Sequence, residues 1–319
     1  MADTPFVARL REALEADDLA PSTRVVTARQ AGQFELWLRG TTGEGIDPDG
    51  VRIASVDLME YRGALQRKGT TPASVQRHFA SIRKALLLLA PELALRLKWP
   101  KLPTQQPQAP SELGRNLRNA ILRAAELMSP RDGCIVTMLL FTGCRASTLA
   151  DARVSMLRLA ERSGEITYHA KGNRTYSVPL NSACRTAIRT YLETRPAVEH
   201  DRLLVSERFP FGPVSRGVIW AVWHERMRSL LPKHLQDRIR GPHQARHDLC
   251  RRLVSGELGA DLGVDARRGG RGRAPVPLAD AAAIMGHADV RCTASIYSRP
   301  APEDLKRALE GLVGDGEEE

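Results

Sequence analysis

The chain lacks the features that would place it outside a reducing compartment or inside a membrane. Its five cysteines are scattered and form no Cys-x-x-Cys pair, which argues against both a disulfide framework and a structural zinc site. The longest apolar run, Ala85–Ala90, is far too short to cross a bilayer. The first residues are partly acidic and contain no apolar segment of a signal peptide. We therefore expect a cytoplasmic protein with no membrane partner and no metal.

The chain is strongly basic. The 319 residues carry a formal net charge of +10 and have a pI near 9.8, while the hydrophobic share of 42% is that of an ordinary globular protein. Each phosphate that a Lys or Arg side chain neutralises releases a condensed counterion, so a polyanionic partner is favoured. A solvated basic surface is the alternative.

The first hundred residues are predicted to form a helical domain, 1–100. Helices are expected at Val25–Leu38, Val56–Gln66 and Pro72–Leu89, the last with Thr71 as its N-cap and proline at its first position. The helix Pro72–Leu89 combines an apolar stripe with basic side chains, and we expect that basic face to contact nucleic acid. Its candidate binding residues are Arg77, Arg83 and Lys84. An ordinary amphipathic surface helix is the alternative.

A proline-rich segment separates this domain from the rest of the chain. Four prolines lie between Trp99 and Ser111, and they remove backbone donors and favour extended conformations. Residues 101–111 are therefore predicted to be a semi-rigid linker, followed by a second domain at 112–314 and an acidic tail at 315–319.

The second domain is predicted to be mainly α-helical with one small β-sheet. Glu165–His169 and Arg174–Val178 flank a Gly-Asn pair and indicate a β-hairpin. Residues 255–277 are rich in glycine and arginine and interrupt every periodic pattern, which predicts a mobile basic insertion. The helices are expected at Leu113–Ser129, Cys134–Phe141, Ser147–Met156, Ser182–Thr194, Arg216–Leu230, His243–Leu253 and Leu278–Met285, with further pieces at Thr293–Tyr297 and Pro302–Val313.

Four stretches of the second domain carry residues suited to phosphate chemistry. The first contains Thr-Gly-x-Arg, the second has a lysine at the tip of the hairpin, the third contains His-x-x-Arg, and the fourth has a histidine ten positions before a tyrosine. The residues concerned are Arg145, Lys171, His243 and Arg246, and His287 and Tyr297. Each of them alone has an ordinary structural explanation, so the prediction rests on the set.

In this order, and after a basic helical domain and a linker, the four stretches resemble the tyrosine site-specific recombinases of the phage-integrase type. The resemblance covers about Ser111 to Leu312 by motif, and extends to the first domain only in its helical character. It implies a helical core-binding domain and a catalytic domain. It also implies double-stranded DNA as partner, a homotetramer assembled on two DNA sites, and no cofactor.

The resemblance also assigns a role to each residue. Tyr297 would be the nucleophile that forms a covalent phosphotyrosyl bond, which stores the energy for rejoining. Arg145 and Arg246 present planar forks that suit two phosphate oxygens. Lys171 would protonate the leaving 5′ oxygen, and His243 would bind the phosphate or move the tyrosine proton. His287 would be a further phosphate donor. The composition of the insertion, and not the resemblance, predicts that its arginine cluster contacts phosphates or a partner subunit; these residues are Arg267, Arg268, Arg271 and Arg273.

The sequence departs from the family pattern in several places. Thr148 stands where the family usually has an acidic residue, and Asp151 is a candidate substitute. The interval from His287 to Tyr297 is one residue longer than expected, which rotates a helix by about 100°. The segment between Arg246 and His287 is longer by about the size of the insertion.

Two other functions are compatible with the same residues. A type IB topoisomerase or a hairpin-forming resolvase uses the same catalytic set, but a topoisomerase would relax supercoiled plasmid without a specific site. The third possibility is an architectural DNA-binding protein that retains the fold and has weakened catalysis, with Thr148 and the altered spacing as its signs. Covalent attachment to a nicked DNA substrate separates this protein from the two enzymes.

Overall fold

The computed structural model describes residues 4–46, 53–104, 113–170, 174–255 and 276–285. The chain divides into two compact units, residues 1–107 and 108–319. Each unit has its own hydrophobic core in the described residues. The fold class expected from the sequence, mainly α-helical with a small β-sheet, is confirmed.

The described part of the first unit is entirely helical. Prolines start each helix except the third, because a proline at the first helical position loses no hydrogen bond and already has the required φ. Thr71 caps the fourth helix as expected, its Oγ1 accepting from the backbone N–H of Ser74 at 3.4 Å. The helices are α1 (Pro5–Glu15), α2 (Pro21–Thr42), α3 (Ser55–Arg67), α4 (Pro72–Leu89) and α5 (Pro91–Arg96).

Helices α1, α2 and α4 pack on one another and enclose the core of the first unit. An aromatic group joins α2 to α3, with the rings of Phe34 and Tyr61 edge to face at 5.0 Å. The buried hydroxyl of Ser81 on α4 donates to Gln30 on α2 at 2.8 Å, so this polar pair is satisfied inside the core.

The second unit combines helices with a three-stranded antiparallel sheet in the order β1-β2-β3. In the described residues its helices are α6 (Gly114–Glu126), α7 (Pro130–Thr142), α8 (Ala146–Ala150), α9 (Ser182–Thr194), α10 (Arg216–Ala221), α11 (Lys233–Gln236), α12 (His243–Ser255) and α13 (Leu278–Ile284). A 3₁₀ turn spans Val154–Met156 and a π-helix spans Val222–Met227. The strands are β1 (Leu157–Leu159), β2 (Gly164–Ala170) and β3 (Arg174–Pro179).

Helix α7 is the centre of the second unit. Every residue from Arg131 to Thr142 is buried, as expected of a helix that is surrounded by other elements on all sides. It packs against α6, α9 and α12. The end of α7 is therefore fixed in position from several directions, and the Thr-Gly-x-Arg motif begins at that end.

A buried ion cluster ties α12 to α6. Asp248 on α12 accepts from Arg118 Nε at 3.1 Å and also lies 3.1 Å from Arg252 Nε, and all three side chains are buried. Breaking a buried pair leaves an uncompensated charge, which costs roughly 3–5 kcal/mol. The cluster therefore holds the helix that carries the His-x-x-Arg motif.

Two segments predicted to be regular α-helices differ in the structure. The segment Ser147–Met156 was expected to be one helix, but α8 ends at Ala150. The backbone N–H of Val154 instead donates to Asp201 at 2.9 Å, and the chain continues into the unpredicted strand β1. The segment Arg216–Leu230 changes from α-helix to π-helix at Val222. The first change follows from a long-range hydrogen bond, which local periodicity cannot predict.

The described residues show no helix long and apolar enough to cross a membrane. They also show no group of side chains arranged to hold a metal ion. The four cysteines within these ranges are buried free thiols, and Cys292 lies outside them.

Candidate active site

The first motif forms a sharp turn at the end of α7. Gly143 ends the helix with φ +59, a conformation that L side chains rarely adopt, and Arg145 then occupies the N-cap position of α8. A Cβ on Gly143 would lie 2.8 Å from both Leu249 Cδ2 on α12 and Met285 Cε after α13. Glycine therefore allows three segments of the chain to meet at this turn.

We expect a Gly143→Ala variant to be less stable, because the new methyl group meets both side chains and the positive φ is strained. The free energy of unfolding should fall by roughly 1–3 kcal/mol, the range found for overpacked cores. Urea unfolding followed by circular dichroism measures it. Gly212, whose added Cβ would meet nothing within 4 Å, provides the matched control, and an equal loss in both alanine variants would contradict this explanation.

Arg246 joins the third motif to the first and to the segment before the fourth. Its side chain is buried, at 2% exposure. Nη1 donates to the Gly143 carbonyl at 2.7 Å and Nη2 donates to the Met285 carbonyl at 2.5 Å. The structure thus brings together Arg145 and Arg246, which are about a hundred residues apart in sequence, and places the residue just before Gly286-His287 beside them.

The two arginines create a positive site without a matching acid. Within the described ranges, no carboxylate pairs with Arg246, and the Arg145 side chain makes no hydrogen bond or ion pair. Burial and then the charge of Arg145 lower the pKa of Arg246 below its ordinary value. Asp151, the candidate substitute for the acidic residue missing at Thr148, pairs instead with Arg202.

His243 is exposed at the first position of α12, next to this site. Its ring meets the His247 ring edge to face at a centroid distance of 4.6 Å. Burial and then Arg246 lower the pKa of His247, so this imidazole is neutral at pH 7. Gln244 fixes the segment that precedes the helix. Its amide oxygen accepts from the backbone N–H of Arg240, and its amide nitrogen donates to the Arg238 carbonyl.

Tyr176 also lies at the site, although it is not among the candidate catalytic residues of the four motifs. It lies on β3 directly opposite Tyr168 on β2. Burial raises the pKa of its hydroxyl, while the charges of Arg246 and Arg145 lower it. Aromatic residues are common in strands, so no sequence pattern distinguishes a tyrosine that reaches the arginines from one that packs.

Three of the predicted catalytic residues, Lys171, His287 and Tyr297, lie outside the described residues. So do the four arginines of the insertion. Lys171 follows β2 directly in the sequence, and His287 comes two positions after Met285. Their assigned roles therefore remain predictions.

The three basic residues predicted on α4 differ in their surroundings. Arg77 and Arg83 are exposed, and the Arg83 guanidinium lies over the Trp99 ring at 5.6 Å. The Lys84 ammonium pairs with Asp17 at 2.6 Å, so part of its charge is already neutralised. Arg77 and Lys84 line an open groove between α2 and α4 together with Ser22 and Thr23.

Comparison with known proteins identifies relatives along almost the whole chain. The family model described as the phage integrase family matches residues 114–263. Tyrosine recombinase XerD of Lacticaseibacillus casei is 25% identical over 296 residues, with 90% of each chain covered. XerD of Bradyrhizobium diazoefficiens is 28% identical over 278 residues, with 80% of each covered.

Solved structures share the fold at low sequence identity. The XerH site-specific recombinase bound to its difH substrate, in a pre-cleavage complex, has a TM-score of 0.61 and 16% identity, with 97% of this chain and 84% of that one covered. The Tn1549 transposon integrase in complex with circular intermediate DNA has a TM-score of 0.62 and 15% identity, with coverages of 96% and 99%.

The motifs, the paired arginines, the relatives and the shared fold are those of a DNA strand transferase. The family model over residues 114–263 and the XerD relatives confirm the resemblance of the chain to the tyrosine site-specific recombinases. The relatives reported above are all recombinases, which favours this function over a topoisomerase and over an architectural protein.

Proposed function

We propose that this recombinase cuts and rejoins double-stranded DNA at specific sites through a 3′-phosphotyrosyl bond on Tyr297, and exchanges strands through a Holliday junction. The observation that carries the proposal is the site of Arg145 and Arg246, one half-buried and one buried, with no acidic partner among the described residues.

The paired arginines are suited to bind an anion. A buried cation is costly unless a charge or hydrogen bonds compensate it, and a second cation beside it raises the cost. Two carbonyl oxygens orient the Arg246 guanidinium but do not neutralise it. A DNA phosphate carries negative charge and offers two non-bridging oxygens, which suit two planar guanidinium groups.

The proposed reaction exchanges one phosphate ester for another. The Tyr297 oxygen attacks phosphorus, its proton passes to His243, and the bond from phosphorus to the 5′ oxygen breaks as Lys171 protonates that oxygen. Arg145, Arg246 and His287 stabilise the charge on the non-bridging oxygens. Rejoining runs the same steps in reverse, so the reaction needs neither ATP nor a metal.

The proposed domain organisation follows the sequence: a DNA-binding domain at 1–100, a linker at 101–111 and a catalytic domain at 112–314. The division of the chain after Pro107 supports it. We propose that Arg77, Arg83 and Lys84 contact DNA, that four copies assemble on two sites, and that the protein acts in the cytoplasm. DNA-bound relatives of the same fold support the DNA contact.

A nicked suicide duplex tests the proposed activity. Its sequence is taken from inverted repeats about one helical turn apart in the DNA that flanks the gene. Cleavage next to the nick releases a short strand and traps the covalent complex, which survives denaturing electrophoresis. An adduct on this duplex and none on a scrambled duplex is the expected result. A protein that binds the duplex tightly but forms no adduct is an architectural protein, and relaxation of plasmids without this site identifies a topoisomerase.

The arginines of the insertion are expected to contribute to the salt dependence of DNA binding. Replacing Arg267, Arg268, Arg271 and Arg273 with alanine should flatten the plot of log affinity against log salt by about 0.9 for each lost phosphate contact. Fluorescence anisotropy with a labelled duplex measures the slope. The same four positions changed to lysine keep their charge and should keep the slope. An unchanged slope in the alanine variant would mean that the insertion does not touch DNA.

A further inference from the structure

Tyr176 lies where several elements of the candidate site converge. It is paired with Tyr168 across the β2–β3 register, and the two rings are 5.6 Å apart. Strand β3 also packs against α13, the helix that precedes the Met285 carbonyl bound by Arg246. The ring is therefore held between Tyr168 and the elements that carry the site, and the charges of Arg246 and Arg145 reach its hydroxyl.

The hydroxyl of Tyr176 lacks a hydrogen-bond acceptor among the described residues. Its oxygen is fully covered and forms no hydrogen bond of normal geometry in the described part of the chain, although Arg246 lies close enough to act on it as a donor. Arg246 and Arg145 are near enough for their charges to affect it. Because a guanidinium group only donates, neither arginine can accept the phenolic proton. The phenolic proton of Tyr176 therefore has no acceptor among the described residues.

The charge state of Tyr176 makes it a donor. Burial, and then the nearby Cys144, raise its pKa to about 12 against the opposing effect of the two arginines. The phenol therefore keeps its proton at physiological pH. A group in this state is suited to donate a hydrogen bond and poorly suited to attack phosphorus.

We propose that Tyr176 donates a hydrogen bond to a non-bridging oxygen of the scissile phosphate, as a third donor beside Arg145 and Arg246. This inference rests on the proposed recombinase function and adds a catalytic residue to it. A donor held in place before the substrate arrives stabilises charge that grows on the phosphate oxygens without having to reorganise. The phosphate oxygen is also an acceptor of the kind that the buried hydroxyl lacks.

The proposal predicts opposite effects on stability and on cleavage. A buried donor without an acceptor destabilises the free protein, so Tyr176→Phe should melt at or above the wild-type temperature. Its rate of adduct formation on the nicked suicide duplex should fall on the order of 100-fold, as for the loss of one transition-state donor. Tyr168→Phe is the matched control, because its buried hydroxyl donates to Thr142 at 3.4 Å; this variant should melt lower and cleave at the wild-type rate.

A sulfur substitution at the scissile phosphate tests the contact itself. Suicide duplexes are made with sulfur in place of either non-bridging oxygen, and single-turnover rates are measured for both proteins. If the Tyr176 hydroxyl bonds one oxygen, the penalty of Tyr176→Phe should shrink on the one diastereomer in which sulfur replaces that oxygen. An equal penalty on all three duplexes would place the effect of the hydroxyl away from the phosphate and overturn the proposal.

The two hypotheses fail in different ways. If the wild type forms no adduct on the flanking-repeat duplex, the proposed function is wrong and this inference is wrong with it. If the wild type forms the adduct and Tyr176→Phe forms it at the same rate, only the inference is wrong. Normal cleavage by Tyr168→Phe together with a slow Tyr176→Phe supports the inference.

Discussion

A Tyr297→Phe variant is expected to bind the suicide duplex normally and to form no covalent adduct. Removing the nucleophile of a covalent enzyme lowers the rate by at least about 10,000-fold, because no other group can form the intermediate. Phenylalanine keeps the ring and so preserves packing. Adduct is measured by denaturing electrophoresis of a labelled duplex, and binding is measured on the same samples by native electrophoresis.

The chain offers a matched control for this variant. The Tyr191 hydroxyl accepts from the Val205 backbone N–H at 2.9 Å, a structural contact that uses none of the catalytic motifs. Tyr191→Phe should lower the melting temperature and leave adduct formation unchanged. Persistent adduct in Tyr297→Phe would refute the assignment of the nucleophile. If the adduct then disappeared in Tyr176→Phe, the nucleophile would be Tyr176 and the donor role proposed for that residue would also be wrong.

The fold and part of the site could be predicted because local signals agree with the tertiary structure there. The helix Pro72–Leu89 begins and ends as expected, since a capping threonine, a proline and an apolar stripe all indicate the same boundaries. The pairing of β2 with β3 follows from alternating residues around a Gly-Asn pair. Strand β1 was missed because three residues are too few to show alternation.

The depth at which Arg246 is buried could not be predicted. Periodicity puts His243 and Arg246 on one face of a helix, yet the first is exposed and the second is buried. That difference depends on the Gly143 turn and the Met285 carbonyl, which belong to other segments of the chain. Likewise, only the fold reveals that Tyr176 lies beside the arginines.

The insertion does not interrupt the framework of the catalytic unit. The backbone N–H of Val276 donates to the Leu253 carbonyl at 2.9 Å, so the residue that follows the insertion lies beside the end of α12, which precedes it. Leu249 on α12 and Ala281 and Met285 beyond the insertion share one buried cluster. A long segment between Arg246 and His287 is therefore compatible with a Met285 carbonyl that reaches Arg246.

An Arg246→Ala variant is expected to lose adduct formation by on the order of 1,000-fold, the effect of removing a positive group that stabilises charge in a phosphoryl transition state. In the proposed mechanism the guanidinium contacts the phosphate, and in the structure it ties Gly143 to Met285. Arg246→Lys keeps the charge but has no planar fork, so one ammonium cannot serve both carbonyls and the phosphate. We therefore expect Arg246→Lys to restore only part of the rate in the same single-turnover assay.

Arg118→Ala distinguishes this catalytic effect from a loss of stability. Arg118 is also buried, but it faces the Asp248 carboxylate, so its removal leaves that acid with less compensation. We expect Arg118→Ala to lower the free energy of unfolding by roughly 3–5 kcal/mol, with normal cleavage by the fraction that stays folded. In Arg246→Ala the rate should instead fall in a sample that is fully folded by circular dichroism. Equal cleavage by folded Arg246→Ala and wild type would show that the buried guanidinium is structural and that the anion inferred from it does not bind there.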